Sequence, residues 1–435
     1  MNLIGFRRED KSPHERRIPL VPKDLQALQA EHGARFLVQS SPQRAFPTED
    51  FEAVGINVVE DLDAADVIMG VKEVPSEAVR PGKTYVFFSH TIKGQAYNMR
   101  LLRTLMENRC TLIDYERIVD DADQRLVAFG RHAGLAGAIN SLWALGRAWA
   151  HAKRRTPLLD LKLAHEYGHS AQARAAITEV AQACFADPAF QALPAVIGVT
   201  GSGRVAQGAH EILDALAPDE LPPDELSAAS PGRFSRVRFE ESHFAERRDA
   251  APFELEDYYA RPEAYRGVFE ARYAAQLDLL INGIYWEPRY PRLISRTGTR
   301  SMYSRPQPRL AAIGDISCDI GGSIELTAMA TTPNDPVYTW DTRTDRVRQP
   351  GKGTGPLMMT VDILPTELPI EASEAFSTAL RPLMKDLLSH DFAQDLEGLR
   401  PELRKACILD RGQLTPEYDY LMEAVERDTG SFPGV

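Results

Sequence analysis

A chain of 435 residues exceeds what one ordinary hydrophobic core organises, which predicts two domains or three. Hydrophobic residues at 43% and charged residues at 26% are ordinary for a globular protein. With 50 basic and 62 acidic side chains the formal charge is -12, which argues against nucleic acid or an anionic membrane as partner and leaves local basic pockets for small anions.

The chain opens on "MNLIGFRREDK", which turns charged too soon for a signal peptide and predicts a first strand. No stretch approaches the roughly 18–20 apolar residues that span a bilayer. Cys110, Cys184, Cys318 and Cys407 are scattered without a Cys-x-x-Cys pair, as expected of buried thiols in a reducing, cytoplasmic setting. A helical "PKDLQALQAEHGA" follows the first strand, then "RFLVQSS", "DFEAVGINVVE", "ADVIMGVKEVP" and "TYVFFSH". Short β-branched or aromatic runs alternating with amphipathic helices predict an α/β domain with a mostly parallel sheet, running to about residue 130. "GLAGAINSLWALGRAWAHAKRR" then predicts a long apolar helix whose small residues permit close packing.

"PAVIGVTGSGRVAQGAHEILDAL" carries the clearest local signal. An apolar run from Ala195 to Val199 leads into Gly201-Ser202-Gly203 and a helical pattern, with Ala206 where a third glycine would stand. Strand, glycine turn and helix N-terminus let a pyrophosphate approach backbone N–H groups at the positive end of a helix dipole. A tight turn without ligand is the alternative. "QLDLLINGIYW" and "PRLAAIGDISCDIGGS" predict two further buried strands; "PEAYRGVFEARYAAQL" predicts an inserted helix within a longer connection, residues 218–270. The remainder predicts a turn and long helix in "TVDILPTELPIEASEAFSTALRPLMKDLL", then a charged pair of C-terminal helices.

"LAHEYGHSAQ" places His165, Glu166 and His169 in the spacing of a zinc peptidase helix. A third ligand is missing: position 175 is alanine, and only Glu179 and Asp187 precede the next strand. Gly168 weakens the helix where it would have to be rigid. The expectation is therefore no metal, with both histidines solvated or bonded locally. Proton chemistry is better served by the first domain, whose strands end on Lys72 and Glu73, on His90 and Gln95, and on Asp114 and Glu116, with Arg17 past the first strand. A desolvated ammonium loses its proton more easily, an imidazole needs little tuning, and a guanidinium fork suits a carboxylate.

"ERRIPLVP", "SSPQRAFP", "GVKEVP", "FFSHTIKGQAYNM", "LIDYERIVD" and "RLVAFGRHAGLAGA" resemble lysine–ketoglutarate reductase, the N-terminal half of bifunctional aminoadipate semialdehyde synthase. They are more distantly similar to lysine-forming saccharopine dehydrogenases and alanine dehydrogenases. The likeness continues through "TGSGRVAQGAHEIL", "LLINGIYWEPRYPRL", "DISCDIGGSIE" and "DILPTELPIEASEAF". It implies an α/β fold of two Rossmann-like domains flanking a cleft: a substrate domain of residues 1–130 plus 360–435, and a dinucleotide domain of 131–359 with the insertion. It implies NADPH-dependent condensation of L-lysine with 2-oxoglutarate to saccharopine, with Lys72 and His90 as acid/base pair. Arg17, Gln95, Arg125 and Phe129 would line the substrate site, Glu73 and Glu116 would tune its charge, and Ser317, Cys318 and Asp319 would touch substrate from the cofactor side. Gly201, Ser202, Gly203, Tyr285 and Asp362 would contact the dinucleotide.

No acid can be placed at the end of a second strand, which is obscure in "PDELPPDELSAAS". Arg204, Arg233, Arg236 or Arg238 would instead meet a 2′-phosphate, so NADPH is preferred and NADH left open. The chain stops at Val435 without a saccharopine-oxidising half, so a stand-alone reductase and a separate saccharopine dehydrogenase as pathway partner are both expected readings. Homo-oligomerisation stays open. The competing readings are a related amino-acid or opine dehydrogenase and a non-catalytic cofactor-binding paralogue.

Overall fold

Runs such as "VIMGV" and "AVIGVT" are buried along their whole length, as strands covered on both faces must be. They lie in two units of a computed structural model that describes residues 1–306 and 308–427. One unit comprises Met1–Phe129 and the chain from Pro369 onward; the other is Gly130–Leu368.

The first unit begins with six parallel strands: β1 (Ile4–Phe6), β2 (Phe36–Gln39), β3 (Asn57–Val59), β4 (Val67–Lys72), β5 (Thr84–Phe88) and β6 (Thr111–Asp114). Their spatial order is β6-β5-β4-β1-β2-β3. Strand order reverses between β1 and β4, and the carboxyl ends at such a reversal are where ligands gather in open α/β sheets. Pro22 at the start of helix Pro22–His32 and Gly33 (φ 64°) just past its end give the crossover after β1 both of its helix boundaries.

The second unit opens on the long helix Gly130–His151. Its strands are β7 (Ala195–Thr200), β8 (Asp219–Leu221), β9 (Phe234–Phe239), β10 (Ala245–Arg247), β11 (Tyr265–Gly267), β12 (Leu279–Asn282), β13 (Ala312–Asp315), β14 (Val337–Asp341), β15 (Arg346–Arg348) and β16 (Leu357–Met359). The main sheet runs β15-β14-β16-β13-β12-β7-β9-β8, with β14 antiparallel to both its neighbours, β16 and β15. Here the reversal falls between β7 and β12. Helix Arg204–Leu213 packs on the long helix so closely that a Cβ on Gly134 would stand 1.9 Å from the Val205 carbonyl oxygen.

Three expectations are corrected. "PEAYRGVFEARYAAQL" is not one helix: Tyr265–Gly267 pairs antiparallel with β10, and Tyr265 is buried against Phe253 and Tyr258. The obscure second strand is β9, "FSRVRF", which lies beside β7; "DEL" within the acidic stretch is only the edge strand β8. The chain re-enters the first unit with helix Pro369–Leu380, and the charged C-terminal helices, Pro401–Lys405 and Leu421–Arg427, are separated by an unexpected hairpin of β17 (Cys407–Asp410), which adds antiparallel to β6, and β18 (Gln413–Leu414). Cys407, Ile408 and Leu409 are fully buried, and Gly412 (φ 84°) supplies the hairpin turn.

Candidate functional site

In the first unit, Lys72 ends β4 and Glu73 follows it. Glu73 gathers two side-chain nitrogens: its Oε1 accepts from Lys11 Nζ, and its Oε2 stands 3.5 Å from His90 Nδ1. Burial alone would raise the Glu73 carboxyl, but the bonds to His90 and Lys11 pull it down to about 2. His90 sits just past β5 with φ 53°, a conformation costly for a residue with a Cβ. The surroundings hold it there. Asp114, buried at the end of β6, accepts from the Ser89 amide at 3.1 Å and from its hydroxyl, while Asn98 Nδ2 donates to the His90 carbonyl at 2.6 Å. Burial raises the Asp114 carboxyl to about 6.

Arg17 is buried and double-bonded to Glu15, Nε to Oε1 at 2.7 Å and Nη2 to Oε2 at 2.5 Å. Its guanidinium also lies 4.1 Å from the centroid of Phe129, a ring that stacks with Phe376 at 4.5 Å. The loop carrying Arg17 is pinned to helix Pro369–Leu380, where Ser373 Oγ accepts from the Ile18 amide and Ser377 Oγ from that of Val21. Lys72 is half-buried. Desolvation and then the Arg17 charge lower its pKa, against the opposing carboxylates of Glu15 and Glu73. Its ammonium therefore gives up a proton more readily than a free lysine does. Beneath it, the buried Glu9 carboxylate accepts from the Val71 amide at 2.7 Å and the Lys72 amide at 3.1 Å.

Lys72, Glu73, His90, Arg17 and Phe129 thus come together. Gln95 is exposed and accepts from the Tyr97 hydroxyl at 2.7 Å; Glu116 is occupied by an ion pair with the exposed Arg125. Sequence reasoning missed Glu9, Lys11 and Glu15. Glu15 had a signal, standing two residues before Arg17; Glu9 had none, because burial of a carboxylate cannot be read from its neighbours in sequence.

In the second unit, a cavity of about 490 Å³ opens at the ends of β7 and β12, lined by Gly201, Ser202, Gly203, Arg204, Tyr285 and Ser317 among others. Gly201 takes φ 91°, and its amide donates to the Phe239 carbonyl, which ties the turn to the end of β9. A Cβ on Gly203 would meet nothing within 4 Å, so ground in front of the helix N-terminus is clear for a ligand. These features fit a dinucleotide pyrophosphate. Behind the cavity, Asn282 joins three strand ends, accepting from Thr200 Oγ1 at 2.8 Å and donating to Asp315 at 2.8 Å, while Ser317 Oγ donates to Asp315 at 2.7 Å. Cys318 (φ 52°) donates its thiol to the Thr360 carbonyl, and burial pushes that thiol up to about 12. Asp319 is exposed beside it. Asp362, expected at the dinucleotide, is exposed after β16 and does not line the cavity.

"LAHEYGH" does not form one helix. Helix Ala164–Tyr167 ends at Gly168 (φ 74°), and His169 caps the next, Ser170–Ala186, accepting from the Ala171 amide. His165 Nδ1 lies 3.2 Å from Oε2 of Glu367, a buried carboxylate that also accepts from Asn140.

Residues 5–136 match the family described as alanine dehydrogenase/PNT, N-terminal domain. Over 451 aligned residues the chain is 36% identical to the mitochondrial alpha-aminoadipic semialdehyde synthase of Rattus norvegicus, covering 98% of this chain and 48% of that protein. It is 35% identical to the alpha-aminoadipic semialdehyde synthase of Arabidopsis thaliana, over 96% of this chain and 41% of that one. The chain thus spans about half the length of these curated relatives. The saccharopine dehydrogenase [NAD(+), L-lysine-forming] of Yarrowia lipolytica is 28% identical, over 89% of this chain and 92% of that one. A solved L-alanine dehydrogenase superposes with a TM-score of 0.63 at 17% identity, over 97% of this chain and 99% of that one, and shares the fold. Residues 5–136 thus match the alanine dehydrogenase/PNT N-terminal domain, and almost the whole chain is similar to about half of alpha-aminoadipic semialdehyde synthase.

Proposed function

We propose that the protein is a nicotinamide-dependent oxidoreductase acting on CH–NH, which condenses L-lysine with 2-oxoglutarate and reduces the imine to saccharopine. The observation that carries this reading is the half-buried Lys72 beside Arg17, with the His90–Glu73 pair at the next strand end. The names of the relatives support the substrate class.

The substrates bring three carboxylates, and Arg17 meets one with Nη1, since Glu15 holds its Nε and Nη2. Lys72 in its free-base form takes a proton from the substrate ε-ammonium, leaving a neutral amine to attack the keto carbon. Attack leaves an alkoxide and a protonated nitrogen. His90 as imidazolium protonates the alkoxide, takes a proton back from that nitrogen and gives it to the hydroxyl. The hydroxyl leaves as water while the freed nitrogen lone pair closes the C=N bond. Glu73 holds the imidazolium that must exist between these steps. Phe129 walls the guanidinium from water on one face. Gly201, Ser202, Gly203, Arg204 and Tyr285 would hold the dinucleotide, and Ser317, Cys318 and Asp319 would contribute substrate contacts. A reduced dinucleotide held there would supply the hydride that reduces the imine.

Initial rates with a panel of amines and oxo acids test the assignment. L-lysine with 2-oxoglutarate is expected to give the highest kcat/KM; preference for alanine or another amine moves the protein to a related amino-acid dehydrogenase.

A further inference from the structure

β4 ends on an irregularity, and Lys72 is its last residue. The strand pairs with β5 in register from Val67 opposite Thr84 to Met69 opposite Val86, but Lys72 then stands opposite Phe88 rather than Ser89. Gly70 and Val71 therefore share the place of one β5 residue, Phe87. An extra residue in one strand is a bulge, which re-aims the side chains after it and interrupts the ladder. On the other flank β1 stops at Phe6, opposite Met69, so the Val71 and Lys72 amides meet no strand there.

Glu9 takes the place of that strand. Its side chain, only 3% exposed, accepts from the Val71 amide through Oε1 at 2.7 Å and from the Lys72 amide through Oε2 at 3.1 Å. Two consecutive amides thus meet the two oxygens of one group. Glu9 is itself held, with Arg7 Nη1 3.6 Å from Oε2 and Gln43 Nε2 donating to the Glu9 carbonyl at 2.8 Å. Gly70 permits the approach, since a Cβ there would lie 2.9 Å from Arg7 Cδ and 3.2 Å from Glu9 Oε1. An ion pair with Arg7 alone would require neither amide.

We infer that Glu9 is a positioning residue, whose clamp on the Val71 and Lys72 amides fixes the bulge and so aims the Lys72 side chain. This rests on the reading of Lys72 as a group that moves a proton. Burial and the Arg17 charge hold the Lys72 ammonium below its ordinary pKa only while the side chain keeps that direction.

Trace acetylation of Lys72 by acetic anhydride, read by mass spectrometry across about pH 6 to 11 on the full-length protein without substrates, reports the free-base fraction of that side chain whatever amine the enzyme uses. Glu9→Gln keeps the shape of the clamp but turns an NH2 toward one amide, which loses its acceptor. The Lys72 midpoint is then expected to rise by about one pH unit, as the ammonium moves toward water and away from Arg17. Loss of the Glu9 charge by itself would move the midpoint down, so a fall or an unchanged midpoint overturns the inference. In turnover the variant is expected to lose at least about tenfold in kcat with the KM for dinucleotide unchanged. A raised midpoint with kcat unchanged upholds the clamp and sinks only the proton-transfer reading. Circular dichroism and melting temperature report folding. Glu9→Asp, too short to span both amides, replaces an unfolded Glu9→Gln; failure of both to fold makes Glu9 a residue of the core and overturns the inference.

Discussion

At the residue scale, two side chains carry opposite kinds of information. On the proposed function Lys72 transfers a proton, so Lys72→Met is expected to lower kcat by at least roughly tenfold with little change in melting temperature, since the apolar isostere suits a half-buried strand end. An unchanged kcat would remove Lys72 from the chemistry. Arg17 has a second duty, because its partner Glu15 is only 2% exposed. Arg17→Met leaves that carboxylate buried and unpaired, which is expected to cost about 3 kcal/mol in denaturant unfolding. Arg17→Met/Glu15→Leu is expected to regain most of this stability and none of the substrate affinity. A double variant as unstable as the single one would show that the pair is not the source of the loss. That Lys72, His90 and Arg17 stand close together was legible because each follows or ends a strand at the same sheet edge. Glu9 was not, since its role depends on folding back under β4.

At the element scale, glycines near the turn divide into two kinds. A Cβ on Gly208 would lie 2.0 Å from the Arg131 carbonyl oxygen of the facing helix, whereas one on Gly203 meets open space. Gly208→Ala is therefore expected to destabilise by about 2 kcal/mol or more through forced helix separation. Gly203→Ala is expected to leave melting unchanged and weaken dinucleotide binding, because its methyl occupies the ligand's approach. Equal effects on binding and melting in both variants would contradict this division. The strand–turn–helix here was readable because a buried apolar run, two glycines and an amphipathic helix agree. Strand β9 was not, because Arg236 disguises an inward-facing position. Its guanidinium is buried only because Glu220 and Asp214 come from elsewhere to meet it. Likewise Tyr265 sat in a helix-like pattern, and its pairing with β10 prevailed over local preference.

At the scale of the whole molecule, buried carboxylates give stability a pH signature. Burial raises Glu9 from 4.5 to about 7, opposed mainly by Arg7. Between those values the folded state holds a proton that the unfolded chain has released, so this group's contribution to stability falls as pH rises through the window. Asp114, raised from 3.8 to about 6, acts in the same direction. Glu73 acts oppositely: lowered to about 2, it contributes stability above 4.5 that is lost as pH falls toward 2. Between pH about 5 and about 7, the denaturation midpoint of Glu9→Gln is expected to drift less than that of the wild type, whatever its absolute level. An identical slope would mean that Glu9 is ionised throughout. The central claim concerns the bond the protein makes, and mass analysis of the product from isotopically labelled L-lysine, 2-oxoglutarate and reduced dinucleotide reads it most directly. The account predicts a secondary amine that retains the labelled ε-nitrogen and joins both carbon skeletons, formed with one dinucleotide oxidised per molecule. Dinucleotide bound but not oxidised, or an oxidised dinucleotide with lysine unchanged, would contradict it.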